Sequence, residues 1–216
     1  MHVTNADPDR PVVLIVDDDG DMRTALQELM QSVGLEAEGF GSTRELLESG
    51  KHDKPGCLVL DVRLPGVSGL DLQQQLTSNG RAKPIVFLTA HADIPMTVQA
   101  MKAGAVDFLT KPVRDQTLID AVSAALDIDS RQRAAALVAR RHSERFETLT
   151  PRERQVLREV ARGRVNKQIA YDLGISEVTV KLHRGNAMRK MQVASLGDLI
   201  HAWEAVPASL REDRAT

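Results

Sequence analysis

From residue 12 to about residue 126, short apolar runs alternate with stretches in which apolar residues recur every three or four positions. The runs occupy residues 12–16, a weaker 36–40, 57–60, 84–88 and 106–109. The first, third and fourth are continuous rather than alternating, which predicts strands covered on both faces. Between them, Ala25, Leu26, Leu29, Met30 and Val33 follow the helical period, and Gly34 is a natural stop. Ser68 with Asp71 three residues on reads as a variant capping box. Asp93 followed by Pro95 opens a helix that carries Met101 and stops at Gly104. Leu118, Ile119, Val122 and Leu126 mark a fifth helix. Five β–α units predict an α/β domain over 10–126, built on a doubly wound parallel sheet of five strands.

The pattern then changes. No Gly or Pro occurs from Val113 to Thr150, and the middle of this stretch is rich in Ala and Arg. These helix formers predict a helical connector over 127–147, with a flexible tether as the alternative. From Thr150 onward the pattern is purely helical. Thr150-Pro-Arg-Glu153 is a capping box with proline at the first helical position. Val156, Leu157 and Val160 form that helix's stripe, and Gly163 ends it. A second helix over 166–173 stops at Gly174. Ser176 caps a third, running to Met191, and Ser195 with Asp198 caps a fourth that Pro207 stops. This all-α domain covers 148–207, and 208–216 is expected to be a disordered tail.

Composition sharpens this division. The 216 residues are 42% apolar, enough for two small cored domains, but only 3% aromatic, so the cores must be aliphatic. Residues 1–126 hold 11 basic and 18 acidic side chains, whereas 127–216 hold 17 and 12. An acidic half followed by a basic half suggests different partners, the basic one facing a polyanion. Cys57 is the only cysteine and excludes an internal disulfide; its apolar run predicts a small buried core residue. No apolar leader and no membrane-length apolar stretch occur, so a cytoplasmic protein without a membrane partner is expected.

Candidate chemistry collects at the predicted carboxyl ends of strands. Asp17 and Asp18 end the first, Asp61 the third, Thr89 the fourth and Lys111 the fifth. A parallel sheet brings these ends together, where such folds bind ligands. Three converging carboxylates would repel one another unless a hard dication sits among them, and Mg²⁺ suits oxygen ligands beside a phosphate. One lysine and one hydroxyl complete an oxyanion clamp, and a carboxylate can act as nucleophile.

The segments Val-Leu-Ile-Val-Asp17-Asp18-Asp, Leu-Val-Leu-Asp61-Val-Arg-Leu-Pro65-Gly66, Val-Phe-Leu-Thr89-Ala90 and Asp-Phe108-Leu-Thr-Lys111-Pro112 resemble the receiver domain of two-component response regulators. The resemblance implies a flavodoxin-like sheet of order 2-1-3-4-5. It implies Asp61 as phosphoacceptor, with Mg²⁺ held by Asp17, Asp18, Asp61 and the backbone carbonyl of Arg63. Lys111 would contact the phosphoryl oxygens next to a cis bond to Pro112. Thr89 and Ala90 would take up the phosphoryl group, and Phe108 would rotate inward behind it. Arg63 and His91 stand at positions that tune phosphoryl lifetime, His91 as a rim residue rather than a general base.

In the second domain, the helices on either side of Gly174-Ile-Ser176 have helix-turn-helix spacing. Val180, His183, Ala187 and Met191 form the inward stripe of the third helix, with His183 read as a packed residue rather than a metal ligand. The opposite face shows Thr179, Lys181, Leu182, Arg184, Gly185 and Arg189, which suits a recognition helix. Residues 149–206 resemble the LuxR-type DNA-binding domain, through Leu149-Thr-Pro-Arg-Glu153, Asn166-Lys167-Gln-Ile169-Ala170 and Ile175-Ser-Glu-Val-Thr179-Val180-Lys181-Leu-His183-Arg. With the receiver this is similar to the NarL/FixJ class, on its FixJ-like branch. The resemblance implies base contacts by Lys181 and Leu182, and phosphate contacts by Asn166, Lys167 and Arg184. Position 185 commonly carries a longer side chain in the class; glycine here removes any side-chain contact to a base. Leu196, Ile200 and Trp203 are the implied dimerisation residues.

These implications describe a phosphorylation-dependent DNA-binding transcriptional regulator. Its expected partners are a sensor histidine kinase, promoter DNA, a second copy of the chain and, as a candidate, RNA polymerase. Catalysis is limited to self-phosphorylation and slow self-dephosphorylation. The alternatives are a phosphorylation-independent regulator with a degenerate receiver, and an aspartate-based phosphotransfer enzyme. Neither Gly-x-x-x-x-Gly-Lys-Ser/Thr nor Gly-x-Gly-x-x-Gly occurs to support the latter.

Overall fold

The computed structural model describes residues 10–78 and 83–211, in two compact units that divide between Gln132 and Arg133. The first unit alternates strictly. Its strands are β1 (Val12–Val16), β2 (Glu36–Phe40), β3 (Gly56–Leu60), β4 (Ile85–Thr89) and β5 (Asp107–Thr110). Its helices are α1 (Gly20–Ser32), α2 (Thr43–Ser49), α3 (Gly69–Ser78), α4 (Ile94–Lys102) and the start of α5 (Asp115–Glu147), with one 3-10 turn at Lys51–Asp53. The sheet order is β2-β1-β3-β4-β5, and every pairing is parallel. This is the expected doubly wound, flavodoxin-like architecture.

Every residue of β1, β3 and β4 is buried, because helices cover both faces. Alternation along each strand sorts the side chains into two cores. Val12, Leu14, Val16, Leu58, Leu60, Ile85 and Phe87 pack with Leu46, Leu72, Leu76 and Ala100 of α2, α3 and α4. Val13, Ile15, Cys57, Val59, Val86 and Leu88 pack on the other face with Leu26, Met30, Leu118 and Val122 of α1 and α5. Burial is so complete that period-2 alternation is invisible in the sequence, yet each strand still obeys it.

The first unit runs to Gln132, past the expected boundary at residue 126. Asp129 explains this. Its buried carboxylate accepts the Gly56 N–H at 2.8 Å, tying α5 to the start of β3. A carboxylate on a backbone N–H satisfies a donor that the strand ladder leaves open.

In the second unit, α5 ends and is followed by α6 (Pro151–Ala161), α7 (Asn166–Leu173), α8 (Glu177–Met191), α9 (Leu196–Ala205) and α10 (Ala208–Arg211). Phe146, Val156, Leu157, Val160, Ile169, Val180, Ala187, Met191, Leu199 and Val206 form its core. The capping boxes at Thr150/Glu153 and Ser195/Asp198 are both present, and Ser176 caps α8. The tail expected over 208–216 is corrected for its first four residues. Leu210 packs on the core, and the Arg211 carbonyl accepts from Arg158 at 3.0 Å, so α10 is held in place. Residues 212–216 lie outside the described residues. No described helix is long and apolar enough to cross a membrane.

Candidate phosphoacceptor cleft and nucleic-acid surface

The sheet register sets the site. β1 and β3 run side by side from Val12↔Gly56 to Val16↔Leu60, so Asp17 and Asp61 leave the sheet at adjacent tips. The Asp61 N–H donates to the Val16 carbonyl at 2.9 Å, and the Lys111 N–H to the Thr89 carbonyl at 2.8 Å. The four loops enclose a cleft of about 640 Å³ lined by Asp17, Asp18, Asp61, Arg63, Thr89, Ala90, His91 and Lys111. Residues separated by as many as 94 positions therefore meet.

The Lys111 ammonium lies 2.5 Å from Asp17 Oδ2 and 2.9 Å from Asp61 Oδ2. Burial alone would lower its pKa, but the bonds to both carboxylates hold it above the ordinary lysine value. Asp17 and Asp61 are buried at the cleft floor, while Asp18 is exposed on its rim. One carboxylate oxygen of each lies within 4.8 Å of the others. An all-oxygen set of three carboxylates, already neutralised in part by an ammonium, fits a hard divalent cation. Thr89 is buried, and its hydroxyl accepts from the His91 N–H at 3.4 Å. Phe108 is half-buried, its ring 5.7 Å from that of Phe87. The Lys111–Pro112 bond is cis, as the resemblance implies.

Three supporting residues carried no signal in the sequence. The Arg23 guanidinium donates to the Asp17 carbonyl at 2.6 Å and steadies that loop. Met22 lines the cleft. Gly69, which opens α3, approaches so closely that a Cβ there would stand 2.3 Å from the Asp61 carbonyl oxygen. Asp19 caps α1 through the Asp21 and Met22 N–H groups, in keeping with its reading as a loop residue.

In the second unit the chemistry is local. Val180, Ala187 and Met191 turn α8 inward, and His183 is half-buried. Glu153 of α6 anchors the helix by accepting from Lys190 at 2.7 Å and from the Thr150 N–H at 2.8 Å. Burial alone would raise the Glu153 pKa, but these donors hold it below the ordinary glutamate value. The outer face shows Val178, Lys181, Leu182, Gly185 and Arg189, all exposed. Arg184 is half-buried, and Thr179 is half-buried with its hydroxyl 2.8 Å from that of Ser176, so it belongs partly to the cap. Lys167 is exposed and Asn166 half-buried at the start of α7. On α9, Leu196 is exposed and Ile200 half-buried, but the Trp203 ring packs edge-on against Phe146 at 5.7 Å within its own unit.

Two family descriptions match the chain: a response regulator receiver domain over residues 13–123, and the bacterial regulatory proteins of the luxR family over 147–203. The chain belongs to the response regulators. Nodulation protein W of Bradyrhizobium diazoefficiens is 51% identical to it over 207 residues, covering 96% of this chain and 91% of that protein. The low-resolution structure of the response regulator StyR is 49% identical, with a TM-score of 0.77, covering 90% of this chain and 98% of that one. Full-length FixJ from B. japonicum is 35% identical, with a TM-score of 0.55, covering 90% and 96%. The order of domains and these relatives place this response regulator in the NarL/FixJ class. It is a phosphorylation-controlled, DNA-binding regulator of transcription and not a classical enzyme.

Proposed function

We propose that a sensor histidine kinase passes a phosphoryl group to Asp61, and that this raises the affinity of α8 for promoter DNA through dimerisation. The observation that carries the reading is the Lys111 ammonium bridging Asp17 and Asp61, with Asp18 in the same oxygen cluster. Residues 10–132 act as the receiver, 133–147 as the connector and 148–211 as the DNA-binding domain.

A carboxylate oxygen of Asp61 attacks phosphorus, and the bond from phosphorus to the kinase histidine breaks. Asp17, Asp18, Asp61 and the Arg63 carbonyl would hold Mg²⁺, which when bound offsets the charge on the phosphoryl oxygens. Lys111 keeps its ammonium beside Asp61 and contacts a phosphoryl oxygen. Thr89 turns its hydroxyl, and Ala90 its N–H, to the same group, and Phe108 moves inward. Slow attack by water on phosphorus, with Arg63 and His91 on the rim, breaks the bond to the Asp61 oxygen and returns free aspartate and inorganic phosphate; no other catalysis is assigned.

The changed face built from α4, β5 and α5 then pairs two receivers. Ile94, Val98 and Met101 support this, since they expose an apolar stripe along α4 at spacings of four and three. Pairing brings two α8 helices to two half-sites, with Leu196 and Ile200 available for contact on DNA. Lys181 and Leu182 face bases, Asn166, Lys167 and Arg184 lie toward phosphates, and Thr179 and Arg189 belong to the same DNA-facing set. The protein works in the cytoplasm, where RNA polymerase is its further partner.

The test compares wild type with Asp61→Asn after treatment with acetyl phosphate, with and without Mg²⁺. Wild type should gain the mass of one phosphoryl group only with Mg²⁺, sediment as a dimer and bind promoter duplex more tightly. Equal phosphate uptake by the variant would remove Asp61 from its role. Uptake without change in dimerisation or DNA binding would favour a phosphorylation-independent regulator.

A further inference from the structure

Gly185 has no explanation inside its own unit. It lies in the middle of α8, its φ is not positive, and a Cβ built on it meets nothing within 4 Å. Gly69, by contrast, is demanded by the protein, because a Cβ there would strike the Asp61 carbonyl. A glycine inside a helix weakens that helix relative to alanine. At position 185 the weakening brings no packing benefit among the described residues.

The neighbours of Gly185 show what the gap serves. Val178 and Leu182 lie seven and three residues before it, on the same side of the helix, and are 76% and 61% exposed. Lys181 and Arg189 stand one turn to either side of Gly185. The result is a bare apolar strip, flat at one end, with Lys181 alongside it and Arg189 one turn beyond that end. Duplex DNA offers the matching surface. Its base edges and phosphates offer acceptors to the cations, and the thymine C5 methyl is the apolar group that the major groove presents. A helix without a Cβ at the point of contact lets the backbone come closer to that groove.

We propose that α8 reads thymine methyl groups through the strip Val178–Leu182–Gly185, and that residue 185 is glycine so that the helix backbone can seat against the bases. This rests on α8 being the helix that enters DNA. Base readout at position 185 then comes from shape rather than from a side-chain hydrogen bond.

The probe is a duplex enriched by the phosphorylated full-length protein from a random-sequence library, beside the same duplex with uracil in place of thymine. Wild type should bind the uracil duplex several-fold more weakly, about fourfold per methyl lost from contact. Leu182→Ala should bind less tightly and distinguish the two probes less. Gly185→Ala should raise the melting temperature of the C-terminal unit by about 4–8 °C, followed through Trp203, the only tryptophan. The same variant should lose roughly tenfold in DNA affinity, about 1.4 kcal/mol. A Gly185→Ala protein that binds as tightly as wild type overturns the proposal, as does equal wild-type binding to both probes. If wild type enriches no duplex at all, α8 is not a DNA-reading helix and the strip falls with it. Enrichment with unmoved readouts removes the strip alone.

Discussion

The receiver cleft and the outer face of α8 are built on opposite plans. The cleft draws residues from each of four strand tips, and Asp17, Asp61 and Thr89 are buried there. The α8 face draws its side chains from a single helix and leaves Lys181, Leu182 and Arg189 exposed. Charge in the cleft is offset in part internally, by Lys111 between two of the three carboxylates, before any ligand arrives. Charge on the outer face of α8 is left exposed to solvent. A buried site must satisfy its own polar groups in order to fold, whereas an exposed one leaves that to its partner. The price of function therefore falls on folding in the first unit and on binding in the second.

The largest break in that comparison should come from Gly69→Ala. Its Cβ would drive into the backbone behind Asp61, so the receiver should lose about 4 kcal/mol of stability and its phosphate uptake, seen by denaturant unfolding and intact mass. A stable, phosphorylatable variant would show that the α3 start yields more easily than its contacts imply.

The second unit has its own hidden support in the Glu153–Lys190 pair behind α8. Lys190→Met should destabilise that unit by about 2–3 kcal/mol at neutral pH, because a buried carboxylate loses its partner. The folded pKa of Glu153 is depressed, so the pair's contribution is present above the ordinary value of 4.5 and is lost as pH falls below it. Melting curves of wild type and variant, read through Trp203, should converge at acid pH. A gap that persists at acid pH would assign the loss to packing instead.

On the exposed face the effects are smaller and leave the fold alone. Lys181→Ala should cost about 2 kcal/mol of specific binding and relax specificity if it touches a base. It should lower the salt slope by about one unit if it touches only phosphate. A melting temperature that shifts as well would place Lys181 in the architecture rather than at the surface. The smallest expected effect is none. Burial pushes the Cys57 thiol up to about 12, with Lys83 opposing and Asp129 adding to the shift. Iodoacetamide at pH 8 should leave it unmodified in the native protein, and labelling without denaturant would mean that β3 opens locally.

Much of this architecture was legible residue by residue. The runs 12–16 and 36–40 coincide with β1 and β2, and the other three lie within one residue of the observed strands at either end. Gly34, Gly104, Gly163 and Gly174 all adopt positive φ just beyond helices. The cleft residues were legible because each sits at the end of an apolar run. Their supports Arg23 and Gly69 were not, nor was the Asp129 tie at the start of β3, since none follows a local rule, and nothing around 208–211 announced that α10 would pack. Trp203 read as an interface residue, yet its ring rests on Phe146.

By itself, the sequence determined what a few consecutive residues can decide: where helices start and stop, which faces are apolar, and which half is basic. Those signals act over three or four positions, through capping, backbone conformation and periodicity. Only the tertiary structure decided that Lys111 would lie between Asp17 and Asp61, that Asp129 would seal the start of β3, and that Gly185 would face open space. Such relations depend on sheet register and helix packing, where the partners of a side chain are set by distance in space and not along the chain.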